Sequence, residues 1–143
     1  MNAREQAAHV LRRFGLGASP EELERYEKLP PTKIVENLLD FDRTDEGFPI
    51  SPYELVAQAN GELQFDTSRI TRWWALRLLL TKTPAREKLT LFWHDHFAVS
   101  GEKVEFGPMM LGYLEVLRKH GAGNFRDLLG AVSTCPAMLR WLD

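Results

Sequence analysis

Apolar residues recur along this chain at intervals of three and four. The first stretch, opening at residue 3, places Ala7, Val10, Leu11 and Phe14 on one helical face. Gly15 and Gly17 then close it, as glycine does after a helix. "SPEELERYEKL" opens with Ser19 as N-cap, Pro20 in the first turn and Glu22 three residues on, a capping box. "PPTKIVENLLD" carries Ile34, Val35, Leu38 and Leu39 at helical spacing. "SPYELVAQAN" repeats the Ser-Pro-x-Glu start at Ser51 and predicts another helix, while the acidic stretch 40–50 reads as a loop and 60–67 as a second weak segment.

The C-terminal two thirds continues in the same way. "SRITRWWALRLLLTK" is a strong helix candidate, its adjacent Trp73 and Trp74 pointing to different sides, one into a core and one towards a second layer. Thr83 and Pro84 start "TPAREKLTLFWHDHF", in which Arg86, Glu87 and Lys88 read as a solvated face or as helix-pair salt bridges. "VSGEKVEFG" breaks that helix, "PMMLGYLEVLRKH" forms the next, Asn124 caps "NFRDLLGAVS", and "CPAMLRWLD" begins a last one. No stretch alternates convincingly as a strand. The expected fold is therefore all-α, one helical domain over residues 1–143 built from about seven to nine short helices.

Composition narrows the function classes. Net charge is -2, so no global basic field would draw in nucleic acid or an acidic membrane surface. No apolar run approaches the roughly 20 residues of a membrane helix. No apolar export signal is seen at the N-terminus, so the chain as written is expected to be cytoplasmic. A single cysteine, Cys135, leaves no internal disulfide and no cysteine-rich zinc site; a small apolar residue ahead of a helix is its plain role.

The candidate chemistry lies in "LFWHDHF". On a continuous helix, Ala85, Leu89, Phe92, Trp93 and His96 share a face, and His94 points the opposite way. Residues two apart are separated by about 200°, so His94 and His96 cannot chelate one ion from an intact helix. His96 is expected in the core, neutral and buried. His94 faces solvent or a second packing surface. With Asp95 as an orienting carboxylate, His94 is the catalytic candidate. His9 and Arg13, one turn apart, could hold an anion. His120 ends a helix before Gly121, where a cation complements the dipole. No cofactor is required by the sequence; a divalent metal could be held if His94, His9 and His120 converge.

Three blocks, "HVLRRFGLGASPEEL", "PAREKLTLFWHDHFAVSGEKV" and "LRKHGAGNFRDLLGAVSTCPAMLRWLD", resemble in that order the N-terminal part of a large bacterial family, domain of unknown function 1800. The resemblance covers nearly the whole chain. It implies relatives several times longer, often exported, that run on after "LD" into an Asn- and Glu-rich segment. On that footing the last helix is interrupted. Met138, Leu139, Trp141 and Leu142 should then lack partners and favour self-association, through this helix or through a missing C-terminal region. No activity is implied. The expected role is a structural or interaction module; the alternative is the N-terminal part of a metal- or acid–base-dependent enzyme.

Overall fold

The computed structural model describes residues 1–55, 57–59, 62–64 and 66–143. Helices dominate, and the chain forms two compact units, one of Met1–Gly47 with Thr81–Lys88 and one of Phe48–Leu80 with Leu89–Asp143.

In the first unit, α1 (Ala3–Phe14) starts at a capping box: the Asn2 side chain accepts from the Glu5 amide, and the Glu5 carboxylate accepts from the Asn2 amide. The Ser19–Glu22 box does the same for α2 (Pro20–Tyr26), and α3 (Pro31–Leu39) follows a Pro-Pro start. The expected faces are buried except at their ends, where Phe14 and Leu39 are exposed. Ala7, Val10 and Leu11 of α1 are buried with Ile34 and Leu38 of α3, with Phe41, and with Ala85. Lys88 donates to the Gly15 carbonyl (2.8 Å) and to that of Arg12, taking up acceptors that the end of α1 leaves open. Arg86 pairs with Asp42 and lies over the Phe41 ring.

Glu87 departs from the solvated reading, and Arg86 forms an ion pair, with Asp42. Glu87 is fully buried, as is Thr83. The triplet looked solvated because three charged residues in a row carry no apolar signal; position on the helix, not charge, decides which of them turns inward.

The second unit opens with a short 3-10 turn at Pro52–Leu55 and an antiparallel pair, β1 (Ala57–Ala59) with β2 (Glu62–Gln64), where a helix from Ser51 was expected. Asn60 and Gly61, between the two strands in sequence, are the dipeptide most favoured in two-residue hairpins. The remaining elements are α4 (Thr67–Leu80), α5 (Pro84–Phe97, its first turns in the first unit), α6 (Gly101–Val104), α7 (Gly107–His120), α8 (Phe125–Thr134) and α9 (Pro136–Leu142). Nine helices among the described residues make the domain all-α, with the ribbon as its only strand pair.

The core of this unit gathers Ile70, Trp73, Leu111, Tyr113, Leu114, Leu117, Leu128 and Val132 around α7. Trp73 is buried and donates from its indole to the Ile50 carbonyl at 2.9 Å, while Trp74 is half-buried on another side, so the two tryptophans divide as expected. Arg77, also buried, lies over the Phe48 and Trp73 rings. Cys135 is buried at the α8–α9 junction. The last helix is better satisfied than its sequence suggested. Met138 is buried, and Trp141 is half-buried with the Lys103 ammonium over its ring and bonded to its carbonyl. Only Leu139 and Leu142 of the four remain exposed. No described helix is long and apolar enough to cross a membrane.

Candidate functional site

The segment "LFWHDHF" ends α5, and its two sides face different surroundings. Besides Ala85, the buried positions along α5 are Glu87 and Thr90, continued by half-buried His94 and Phe97, a seam spaced three, four and three. His96, expected in the core, is exposed. The physical reason is that α5 is apolar nearly all round its circumference. Hydrophobicity alone could not choose a face, and the seam that is buried carries mostly polar residues.

One side is aromatic. Trp93 is seated by a hydrogen bond from its indole to the Gly121 carbonyl (2.6 Å). A methyl group at position 121 would stand 2.5 Å from the Leu117 carbonyl and 2.8 Å from the Trp93 ring, so glycine lets the chain fit between them. Against Trp93 pack Phe92 (centroids 4.9 Å apart), Phe125 of α8 (5.8 Å), His96 (5.6 Å) and Phe97 (5.9 Å). Phe92 is 57% exposed and Phe125 52%. Leu129, one turn after Phe125, is exposed as well. This is a continuous aromatic patch open to solvent.

The other side borders a cavity of about 380 Å³. His94 stands in its wall between Trp74 of α4 (5.1 Å between ring centroids) and Tyr113 of α7 (5.5 Å). Burial pushes the His94 pKa below its ordinary 6.5, with the Asp95 charge partly opposing. The imidazole is therefore neutral at pH 7. Asp95 lines the same cavity but is exposed, and no hydrogen bond joins it to the His94 ring among the described contacts. Behind His94, the Tyr113 hydroxyl is buried without a hydrogen bond of normal geometry; the Val99 amide only points towards it. Burial first, then the neighbouring Cys135, raise that hydroxyl's pKa far above its ordinary 10.

Local backbone shapes the mouth. Ala98 takes φ 54°, a left-handed conformation that turns the chain out of α5, and its N–H bonds the His94 carbonyl at 2.9 Å. Ser100 caps α6, and Gly101 allows that helix to approach α4: a Cβ there would lie 3.1 Å from Thr67 Cβ.

The sequence-predicted residues divide between the units. His9 and Arg13 are exposed one turn apart on α1 in the first unit. His94, Asp95 and His120, the last residue of α7, belong to the second. Among the described residues, no three His, Cys, Asp or Glu side chains form a group able to hold a metal ion, so the set His94, His9 and His120 is not assembled. Sequence reasoning missed Trp74 and Tyr113 as the neighbours of His94, and Phe125 as the partner of Trp93. None shares an element with "LFWHDHF", so no spacing rule links them.

A family model described as "Protein of unknown function (DUF1800)" matches residues 9–143. The chain belongs to this family. The match takes in "LFWHDHF", Gly121 and Phe125, so both sides of the site lie within the DUF1800 region. No curated protein and no solved structure matches the chain.

Proposed function

We propose that this DUF1800 domain is a protein interaction module whose contact surface is the aromatic patch over Trp93. The observation that carries the reading is that Phe92 and Phe125, brought together from two helices, both stand exposed beside a buried-edge tryptophan. Exposed aromatics clustered around a rigid anchor are what protein interfaces bury. An acid–base centre at His94 is the weaker reading, because the exposed Asp95 carboxylate makes no orienting hydrogen bond to the imidazole. The reading places the domain's work in an aqueous compartment.

Sedimentation velocity over a wide concentration range tests it. With no other partner present, the patch should pair with itself, and the Phe92→Ser/Phe125→Ser double variant should stay monomeric with unchanged helical circular dichroism. A wild-type chain that is monomeric throughout and binds no hydrophobic dye would remove the basis for the reading.

A further inference from the structure

The cavity on the opposite side of "LFWHDHF" is not used by that interface. The geometry points to a binding site there for a small organic ammonium ion, a protonated amine carried on an apolar body, with the Asp95 carboxylate as counter-ion and the Trp74 wall beside it. At about 380 Å³ the cavity lies in the range of small-molecule pockets, which run from roughly 300 to 1,000 Å³. Its floor is apolar, with Ile70, Val99, Met110 and Leu114. Its polar side chains are the hydroxyls of Thr67, Thr71 and Ser100, the His94 imidazole and the Asp95 carboxylate. Asp95 is the single formally charged residue among the described lining, and no lysine or arginine lines it.

The other polar groups also favour a donor-rich guest. His94 is held neutral by burial, and its ring hydrogen-bonds to nothing in the protein among the described contacts, so one nitrogen is free to accept. The Thr67 hydroxyl likewise has no described hydrogen bond; that of Thr71 donates to the Thr67 carbonyl at 3.0 Å, leaving its oxygen as an acceptor. Two helix N-termini border the cavity and both are capped: at α6 the Ser100 hydroxyl accepts from the Glu102 amide (3.2 Å), and α4 is capped by Asp66. Asp66 accepts there from the Ser68 hydroxyl (2.7 Å) and the Arg69 amide (3.0 Å). An electron-rich indole, a carboxylate and free acceptors over an apolar floor select a cation with a hydrocarbon body. A bare metal ion would find only His94 and Asp95, too few protein ligands for a closed site.

The test uses three probes of one shape and different charge: phenethylammonium, phenethyl alcohol and phenylacetate. Each is titrated into the whole chain while the Trp74 indole and His94 ring signals are followed by NMR. Saturable binding of the ammonium is expected, with the alcohol weaker and phenylacetate showing none. Asp95→Asn should weaken the ammonium about tenfold, the loss of a charged hydrogen bond, and abolish its advantage over the alcohol. Asp95→Glu should retain most of it. Asp95 is exposed, so both variants should keep the wild-type fold, checked by circular dichroism. Phenylacetate binding as tightly as the amine overturns the proposal, as does an Asp95→Asn variant with unchanged amine affinity, or no saturable amine binding. Saturable zinc binding lost in both Asp95→Asn and His94→Ala, without amine binding, overturns it in favour of a metal. Phe92→Ser/Phe125→Ser should leave amine affinity intact, which keeps this result separate from that of the interface.

Discussion

Two helices of similar length, α1 and α5, solve burial in opposite ways. α1 concentrates its apolar residues in one seam, and that seam, Ala7, Val10 and Leu11, is what the first unit buries. α5 spreads apolar residues round its circumference, leaves Leu91 and Phe92 exposed, and buries Glu87 and Thr90. The difference separates two jobs. A helix that buries its apolar seam, and of its large apolar residues leaves only the last, Phe14, exposed, contributes mainly to stability. A helix that turns apolar side chains outwards while enclosing polar ones has surfaces whose use lies beyond holding its own core together.

The sharpest test is one substitution made in both helices. Leu11 is 2% exposed, so Leu11→Ala should cost about 3 kcal/mol, the usual price of a core truncation. Leu91 is 40% exposed, and Leu91→Ala should change stability by about 0.5 kcal/mol. Urea unfolding of the two variants measures both, and equal losses would erase the contrast. Gly121→Ala comes next. Its methyl group would stand 2.5 Å from the Leu117 carbonyl and 2.8 Å from the Trp93 ring, and a loss of about 2 kcal/mol is expected from overpacking, with a shift of the Trp93 indole resonance reporting the displaced seat.

Tyr113→Phe acts in the other direction. Its hydroxyl is buried without a proper partner, so removing it should raise stability by on the order of 1 kcal/mol; a marked loss would mean that the hydroxyl has a partner of real strength. The smallest effect is the pH dependence of His94. Its folded pKa lies below the ordinary 6.5. As pH falls through 6.5, the unfolded chain takes up a proton at this position before the folded one does. Stability is therefore full above that pH, declines as pH falls towards the folded value, and levels off beneath it. His94→Gln should flatten this part of the profile in urea midpoints measured from pH 8 to pH 5.

Where local chemistry decides, the sequence was readable. Ser19 and Asn124 cap helices as their residue types require, Pro84 opens α5, and α1 shows its buried side in its spacing. The split of Trp73 from Trp74 follows from helix geometry alone. The hairpin was missed because Ser51–Pro52 and Asn60–Gly61 are competing local signals of similar reach. His96 was misplaced because the face of α5 is chosen by what packs on it from α4, α7 and α8, and no pattern within one helix encodes that. For the site, the helix argument correctly separated His94 from His96. It could not see that Trp74 and Tyr113 flank His94, because those neighbours come from elements 20 positions before it and 19 after it.

The lysine that seals α1 has a consequence for the order of events during synthesis. Lys88 bonds the Arg12 and Gly15 carbonyls across 76 and 73 positions of sequence, and Ala85 joins the same small core. The first unit is thus discontinuous, with residues 48–80 of the other unit inserted between its parts. On a ribosome, the first helix emerges early yet waits for residue 88 before its end is closed. Long-range closure of this kind slows folding. It also leaves the N-terminal helices unfinished through the interval in which the inserted segment is being made.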